Sequence, residues 1–194
     1  MKVEIEARYY DIDVDVVRRA LRGRVWTPLK KYKRMVWDIK DKPGAFLRVR
    51  ECAMSTEITV KHIRDPKKIR GTLEKTIIFE GRRLLEPLAC IFRLLGYPKG
   101  SLQETKRAEW IIFCPEGNRI LISLDYWPGL KPLLEIEAAD EEGIQYTEKL
   151  LKLPSRFEGG IAELYSMEYG ITKEELNAIP RLTEGALARR KQNK

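Results

Sequence analysis

The chain predicts an α+β fold: a closed eight-stranded antiparallel β-barrel with flanking helices. Three observations point there. Short runs alternating apolar and charged residues recur with turn signals between them, a few stretches carry apolar residues at helical spacing, and the strand charges are grouped by face and by sign rather than mixed. With 194 residues the chain can bury a real core as one domain.

The elements follow in order. Lys2 to Tyr10 alternates a Val3/Ile5/Ala7 face with a Glu4/Glu6/Arg8 face, which is a strand. Asp13 can cap a short helix, since its carboxylate accepts from the free N–H groups of the first turn, and Val14, Val17 and Leu21 then recur until Gly23. Strands are predicted over Lys31–Ile39, Ala45–Cys52 and Thr56–Ile63, joined by Asp41-Lys42-Pro43-Gly44 and by Ala53–Ser55. A Lys-, Arg- and Pro-rich loop, Arg64–Gly71, leads to a strand over Thr72–Glu80. A helix over Arg82–Leu95 carries Leu84, Leu88, Ile91 and Leu95 on a core stripe. Hairpin grammar returns with Leu102–Cys114, Arg119–Trp127 and Leu133–Ala138, separated by Pro115–Asn118 and Pro128-Gly129. Asp140 caps a helix through Leu151. After Pro154 come short amphipathic pieces, Ile161–Tyr169 and Thr172–Asn177, the second opened by a Thr172/Glu175 capping box. Residues 1–153 are therefore expected to form the barrel domain, and 154–194 a helical extension packed on it, its last residues disordered.

Composition narrows the function. Hydrophobic residues at 43% and charged residues at 34% exclude a disordered chain, and no apolar run approaches the roughly 20 residues that span a bilayer. Met1 to Arg8 lacks the apolar middle of a secretory signal, so the cytoplasm is the expected location and no membrane partner is implied. Cys52, Cys90 and Cys114 are odd in number and widely spaced, which fits buried reduced thiols. A net charge of +8 suits a polyanionic partner, nucleic acid being compatible but not required, although part of it sits in Lys67-Lys68 and Arg189-Arg190-Lys191.

Residues two apart on a strand share a face. Glu4, Glu6 and Arg8 are thus grouped, as are Arg48 with Arg50, Glu57 and Thr59 with Lys61, and Glu135 with Glu137, each strand keeping its other face apolar. By alternation alone, a β-sandwich with solvated charges is the simpler reading. The sign order weighs against it. Like charges side by side repel unless something lies between them. A divalent cation between the carboxylate pairs and phosphates against the arginines would be that something, and a barrel with the charged face inside would enclose it.

These residues resemble the CYTH superfamily of triphosphate tunnel metalloenzymes. Glu4-Ile5-Glu6-Ala7-Arg8 is similar to its N-terminal Glu-x-Glu-x-Lys, Leu47-Arg48-Val49-Arg50 to its Leu-Arg-x-Arg, and Lys61 to its strand lysine. Lys106-Arg107 resembles the later Lys-Arg pair, and Leu124-Asp125 leading to Glu135-Ile136-Glu137 resembles the closing Asp and Glu-x-Glu. The resemblance implies an eight-stranded tunnel holding Mg²⁺ or Mn²⁺ on Glu4, Glu6, Asp125, Glu135 and Glu137. Arg8, Arg48, Arg50, Lys61 and Arg107 would bind phosphates, and Lys61 and Glu74 would be catalytic. The implied activity is metal-dependent hydrolysis of inorganic tripolyphosphate or of a nucleoside or thiamine triphosphate, by a monomer or homodimer. The alternatives are a class IV adenylyl cyclase making cyclic AMP and pyrophosphate from ATP, and a non-catalytic polyphosphate or nucleic-acid binding module. Arg8 departs from the family lysine: it keeps the charge but cannot serve as a base.

Other residues are expected to be structural. His62 falls on the face opposite Lys61, Trp110 and Trp127 read as packing residues, and Gly159-Gly160 reads as a hinge without the context of a phosphate loop.

Overall fold

The computed structural model describes residues 3–63, 72–98 and 100–192, with the backbone alone for residues 3, 4, 63, 72 and 189–192. The predicted loop Arg64–Gly71 lies outside the described residues. Nine strands are described: β1 (Val3–Tyr10), β2 (Val25–Asp38), β3 (Ala45–Glu51), β4 (Ser55–Ile63), β5 (Thr72–Glu80), β6 (Leu102–Phe113), β7 (Arg119–Tyr126), β8 (Leu133–Ala138) and β9 (Arg181–Leu182). The helices are α1 (Val14–Ala20), α2 (Leu85–Leu94), α3 (Glu141–Leu151), α4 (Ile161–Tyr169), α5 (Lys173–Asn177) and α6 (Glu184–Gln192).

The strands form one sheet in the order β2-β3-β4-β5-β1-β8-β7-β6-β9, and β2 also pairs with β6. All pairings are antiparallel except that of β9, which runs parallel to β6 at Leu102 and Gln103. The expected strand count of eight is corrected to nine. A two-residue strand has no alternation to read, so β9 left no mark in the sequence, and α6 was likewise not predicted.

The other large difference is the start of β2, at Val25 rather than Lys31. Pro28 reads as a strand breaker because it has no N–H to give to a ladder. The ladder with β6 shifts register between Thr27 and Lys30, and this irregularity carries Pro28 through the strand. Local signals behave as expected elsewhere. Asp13 accepts from the N–H groups of Asp15 and Val16, Asp140 from Gly143, and Thr172 with Glu175 forms the capping box. Gly129 takes a φ of 70°, and a Cβ there would collide with the Tyr169 hydroxyl, which donates to the Gly129 carbonyl at 2.6 Å.

The apolar core lies between the sheet and its helices. Val17 and Leu21 at the first helix and Ile144 and Leu151 of α3 pack on Tyr9, Ile120, Ile122, Leu124, Leu134 and Ile136. A second cluster sets Leu85 against Met35, Trp37 and Val49, covering β2 and β3. A third gathers Trp127, Tyr165, Ile171, Leu176, Ile179, Leu182 and Leu187 from the C-terminal elements. Truncating one of the fully buried residues, such as Ile136, would cost about 2–5 kcal/mol. Of the cysteines expected to be buried, only Cys114 is; Cys52 is half-buried and Cys90 is exposed on α2, and all three are free. Among the described residues no helix is long and apolar enough to cross a membrane.

Candidate functional site

With the apolar core under the helices, the face that carries Glu6, Arg8, Arg48, Arg50, Arg107, Asp125, Glu135 and Glu137 is left on the other side of the sheet. Directly opposed residues of an antiparallel ladder project to the same face, so the register states which charges meet. Glu6 opposes Glu137 and Arg8 opposes Glu135 across β1 and β8. Lys61 opposes Glu74, Arg50 opposes Glu57, and Arg107 opposes Asp125. Glu135 is next to Ser123 of β7.

Most of these side chains join into one network, and Arg50 with Glu57 forms a separate pair. Arg8 donates from Nε to Glu135 Oε1 at 2.8 Å and from Nη2 to Glu6 Oε2 at 3.0 Å. The Lys61 ammonium lies between Glu6 Oε1 at 2.9 Å and Glu74 Oε2 at 2.6 Å. Arg107 grips Asp125 with two hydrogen bonds of 2.6 Å and reaches Glu135 Oε2 at 3.0 Å. Arg50 donates twice to Glu57 and lies over the Tyr32 ring, 4.5 Å from its centroid. Thr76 donates to Glu74 at 2.9 Å.

Proton affinities follow from these neighbours. Burial alone would raise Glu135, but Arg8, Arg107 and Lys61 outweigh it and hold the carboxylate far below the usual range. Glu137 goes the other way: burial, then repulsion from Glu135 and Glu6, pushes it up to about 8. Burial lowers Lys61, yet Glu6 chiefly restores and exceeds the loss, so the ammonium stays charged. Glu74 is held below its usual range because Lys61 outweighs the burial that would raise it.

The predicted residues are largely brought together. Glu6, Arg8, Arg48, Arg50, Lys61, Glu74, Arg107, Asp125, Glu135 and Glu137 all lie on this face; the side chain of Glu4 lies outside the described residues. Among the described residues no three metal-capable side chains surround one point, because arginine and lysine occupy the oxygens of Glu6, Glu135 and Asp125. The donor chemistry nonetheless fits a hard cation. Glu137 has no hydrogen bond or ion pair among the described residues and is crowded by two carboxylates, a repulsion a divalent cation would relieve.

Some site residues escaped the sequence. Arg34 of β2 opposes Arg50 and Gln103, and its guanidinium stacks on Trp127, 4.6 Å from the ring centroid. Lys31 and Lys33 make both faces of β2 polar, so alternation could not single Arg34 out. Glu109 is 3.7 Å from Arg107, two positions along the same face. Gly159, expected to be only a hinge, accepts from Arg8 Nη1 at 3.3 Å, and Phe157 N–H donates to the Arg8 carbonyl at 2.7 Å. Trp110 packs in the core and His62 is exposed, as expected. A cavity of about 440 Å³ lies beside Tyr32 and Cys52, with Lys33, Arg83 and Lys106 in its wall.

No protein-family model matches the chain, and no curated protein matches it. Solved structures do. A conserved hypothetical protein from Pyrococcus furiosus superposes with a TM-score of 0.62 at 18% identity, covering 83% of this chain and 99% of that one. A Vibrio parahaemolyticus protein described as a "putative adenylate cyclase" gives 0.57 at 19% identity, over 85% and 98% of the two chains. HpAC1 from Hippeastrum, described as an adenylyl cyclase candidate with a dominant triphosphatase activity, gives 0.58 at 13% identity, over 91% and 100%. The chain has the fold of these proteins. The likeness extends over nearly the whole of each of those chains.

Proposed function

We propose that this chain is a divalent-metal-dependent triphosphatase of the CYTH type, working inside a closed tunnel whose wall is the eight strands from β2 round to β6. The β2–β6 pairing supports the closure, since it joins the two ends of that run. The reading rests chiefly on one observation. Arg8, Lys61 and Arg107 each bridge two carboxylates on a single polar face, which yields adjacent acidic and basic halves as a metal–phosphate substrate requires.

Glu6, Glu135 and Glu137, with Glu4, would hold Mg²⁺ or Mn²⁺. When bound, the ion neutralises phosphoryl oxygens and makes phosphorus more electrophilic. Arg8, Arg48, Arg50 and Arg107 bind the remaining oxygens, and Asp125 fixes the plane of Arg107 through its two hydrogen bonds. Lys61 stays protonated and places its charge against the terminal phosphoryl group. Glu74, held ionised, orients the attacking water and takes its proton at a carboxylate oxygen. The water oxygen bonds to the terminal phosphorus, the bridging P–O bond breaks, and its electron pair leaves with the shortened chain. Arg8, which donates to two carboxylates, grips and orients.

Purified protein incubated with tripolyphosphate or ATP and Mg²⁺ or Mn²⁺ should release orthophosphate, followed by ion chromatography. Cyclic AMP with pyrophosphate from ATP would make it a cyclase instead. Tight binding without turnover under either metal would leave a binding module.

A further inference from the structure

Two kinds of arginine can be told apart among the described residues. Arg107 and Arg156 are saturated: the first meets Asp125 and Glu135, the second meets Glu141 and Glu148. Buried guanidinium groups that serve the fold are expected to look like this, because an unpaired buried charge is costly. Arg34 and Arg48 do not. Among the described residues neither has a carboxylate or a hydrogen-bond acceptor, and the Nε atoms of both are out of reach of solvent and unpartnered. A third buried donor, Trp127 Nε1, also lacks an acceptor, and the Trp127 ring carries Arg34 at 4.6 Å. Burial, then Arg48 and Arg50, presses the Arg34 pKa down; burial, then Arg50 and Arg107, does the same to Arg48. Arg34 and Arg48 are two like charges on one wall that no carboxylate among the described residues bonds; Asp125 acts on the first, and Glu74 and Glu135 on the second, only through space.

We infer that Arg34 and Arg48 together form an oxyanion subsite that takes one phosphoryl group of the substrate, with Trp127 fixing the plane of Arg34. The inference rests on the triphosphatase reading and adds Arg34 to its grip. Stacking on Trp127 uses the face of the guanidinium, and its Nη donors, which no acceptor among the described residues takes, match phosphate oxygens. Trp127 packs on Tyr165 and Leu182 of the C-terminal elements, so those elements support the subsite.

The test compares wild type, Arg34→Gln and Arg34→Lys. Binding of inorganic tripolyphosphate is measured by calorimetry in EDTA, where metal-dependent turnover stops, and melting is measured with and without tripolyphosphate. Arg34→Gln should weaken binding at least tenfold and shrink the tripolyphosphate-induced rise in melting temperature. Its unliganded melting temperature should be unchanged or higher, since an uncompensated charge has gone. Arg34→Lys keeps the charge but loses the planar fork, and should fall between the two. Unchanged affinity in Arg34→Gln, with wild type binding and hydrolysing tripolyphosphate, would overturn the subsite and leave the triphosphatase reading standing. A drop in unliganded stability matching any loss of affinity would make Arg34 structural. Failure of the wild type to bind tripolyphosphate would overturn both.

Discussion

Arg8 and Glu135 oppose each other across β1 and β8, and Arg8 Nε donates to Glu135 Oε1 at 2.8 Å. This contact unites the first and last motifs of the chain. The same guanidinium reaches Glu6 at 3.0 Å and the Gly159 carbonyl at 3.3 Å, so three segments meet on one side chain. Lysine in its place supplies one compact charge without the fixed fork. Arg8→Lys should therefore lower stability by about 1–2 kcal/mol, through the lost charged hydrogen bonds, and keep kcat within roughly fivefold of wild type. Arg8→Ala should lower kcat/KM about 100-fold. Urea unfolding and steady-state kinetics on tripolyphosphate separate the two effects; a large kcat loss in Arg8→Lys would mean that Arg8 does more than grip.

The Arg107–Asp125 pair is bidentate, buried and shared with Glu135, so breaking it from one side strands charge. Arg107→Met should cost about 3–5 kcal/mol because Asp125 loses its bidentate partner and Glu135 loses one of its three counter-charges. Arg107→Met with Asp125→Asn should recover part of that loss, while turnover stays abolished in both. A double-mutant cycle on unfolding free energies measures the coupling, and additive single effects would contradict the pairing.

Much of this was legible in the sequence, and the reason is the inverted pattern. Glu6/Arg8, Arg48/Arg50 and Glu135/Glu137 alternate with Ile5, Ala7, Leu47, Val49, Leu134 and Ile136, so strand and face could be read from spacing. The ladders then set Arg8 against Glu135 and Arg50 against Glu57 on that face. Arg34 was hidden because Lys31 and Lys33 make the opposite face of β2 polar too. The first residues of β2 were hidden by Pro28, whose missing N–H is absorbed by a register shift that only the β6 partner reveals. The network itself is non-local: Arg8 to Glu135 and Lys61 to Glu6 span 127 and 55 residues. Which carboxylate each cation chooses is settled by packing rather than by spacing.

Glu137 has no hydrogen bond or ion pair among the described residues, and burial with Glu135 and Glu6 opposes its ionisation more than Lys61 and Arg107 favour it. Its retention costs stability that a bound cation would return. Glu137→Gln should raise the melting temperature in EDTA by a few degrees and raise the Mg²⁺ concentration needed for half-maximal turnover about 10–100-fold. Wild type, in turn, should gain stability on adding Mg²⁺ and lose all turnover in EDTA without unfolding. Circular dichroism melts and activity titrations are the measurements. Equal Mg²⁺ requirements in the two proteins would remove Glu137 from the ligand set.

Away from the polar face, Glu148 ties α3 to both β1 and the segment after Pro154. It accepts from Arg156 Nε at 2.6 Å and from the buried Tyr9 hydroxyl at 2.7 Å, and these bonds, that of Arg156 first, hold its pKa below the ordinary 4.5. The sign follows. A carboxyl group with a folded pKa below its unfolded value contributes stability that is fully present above the unfolded pKa and is lost as pH falls through the folded one. Glu148→Gln should thus destabilise the protein by about 1–2 kcal/mol at pH 7, because a neutral amide makes weaker bonds to Arg156. The gap between variant and wild type should stay constant down to about pH 4.5, the ordinary value, and close below it. Urea unfolding at pH 7, 5 and 3.5 follows the gap directly; a difference as large at pH 3.5 as at pH 7 would show that Glu148 acts through packing rather than through its charge.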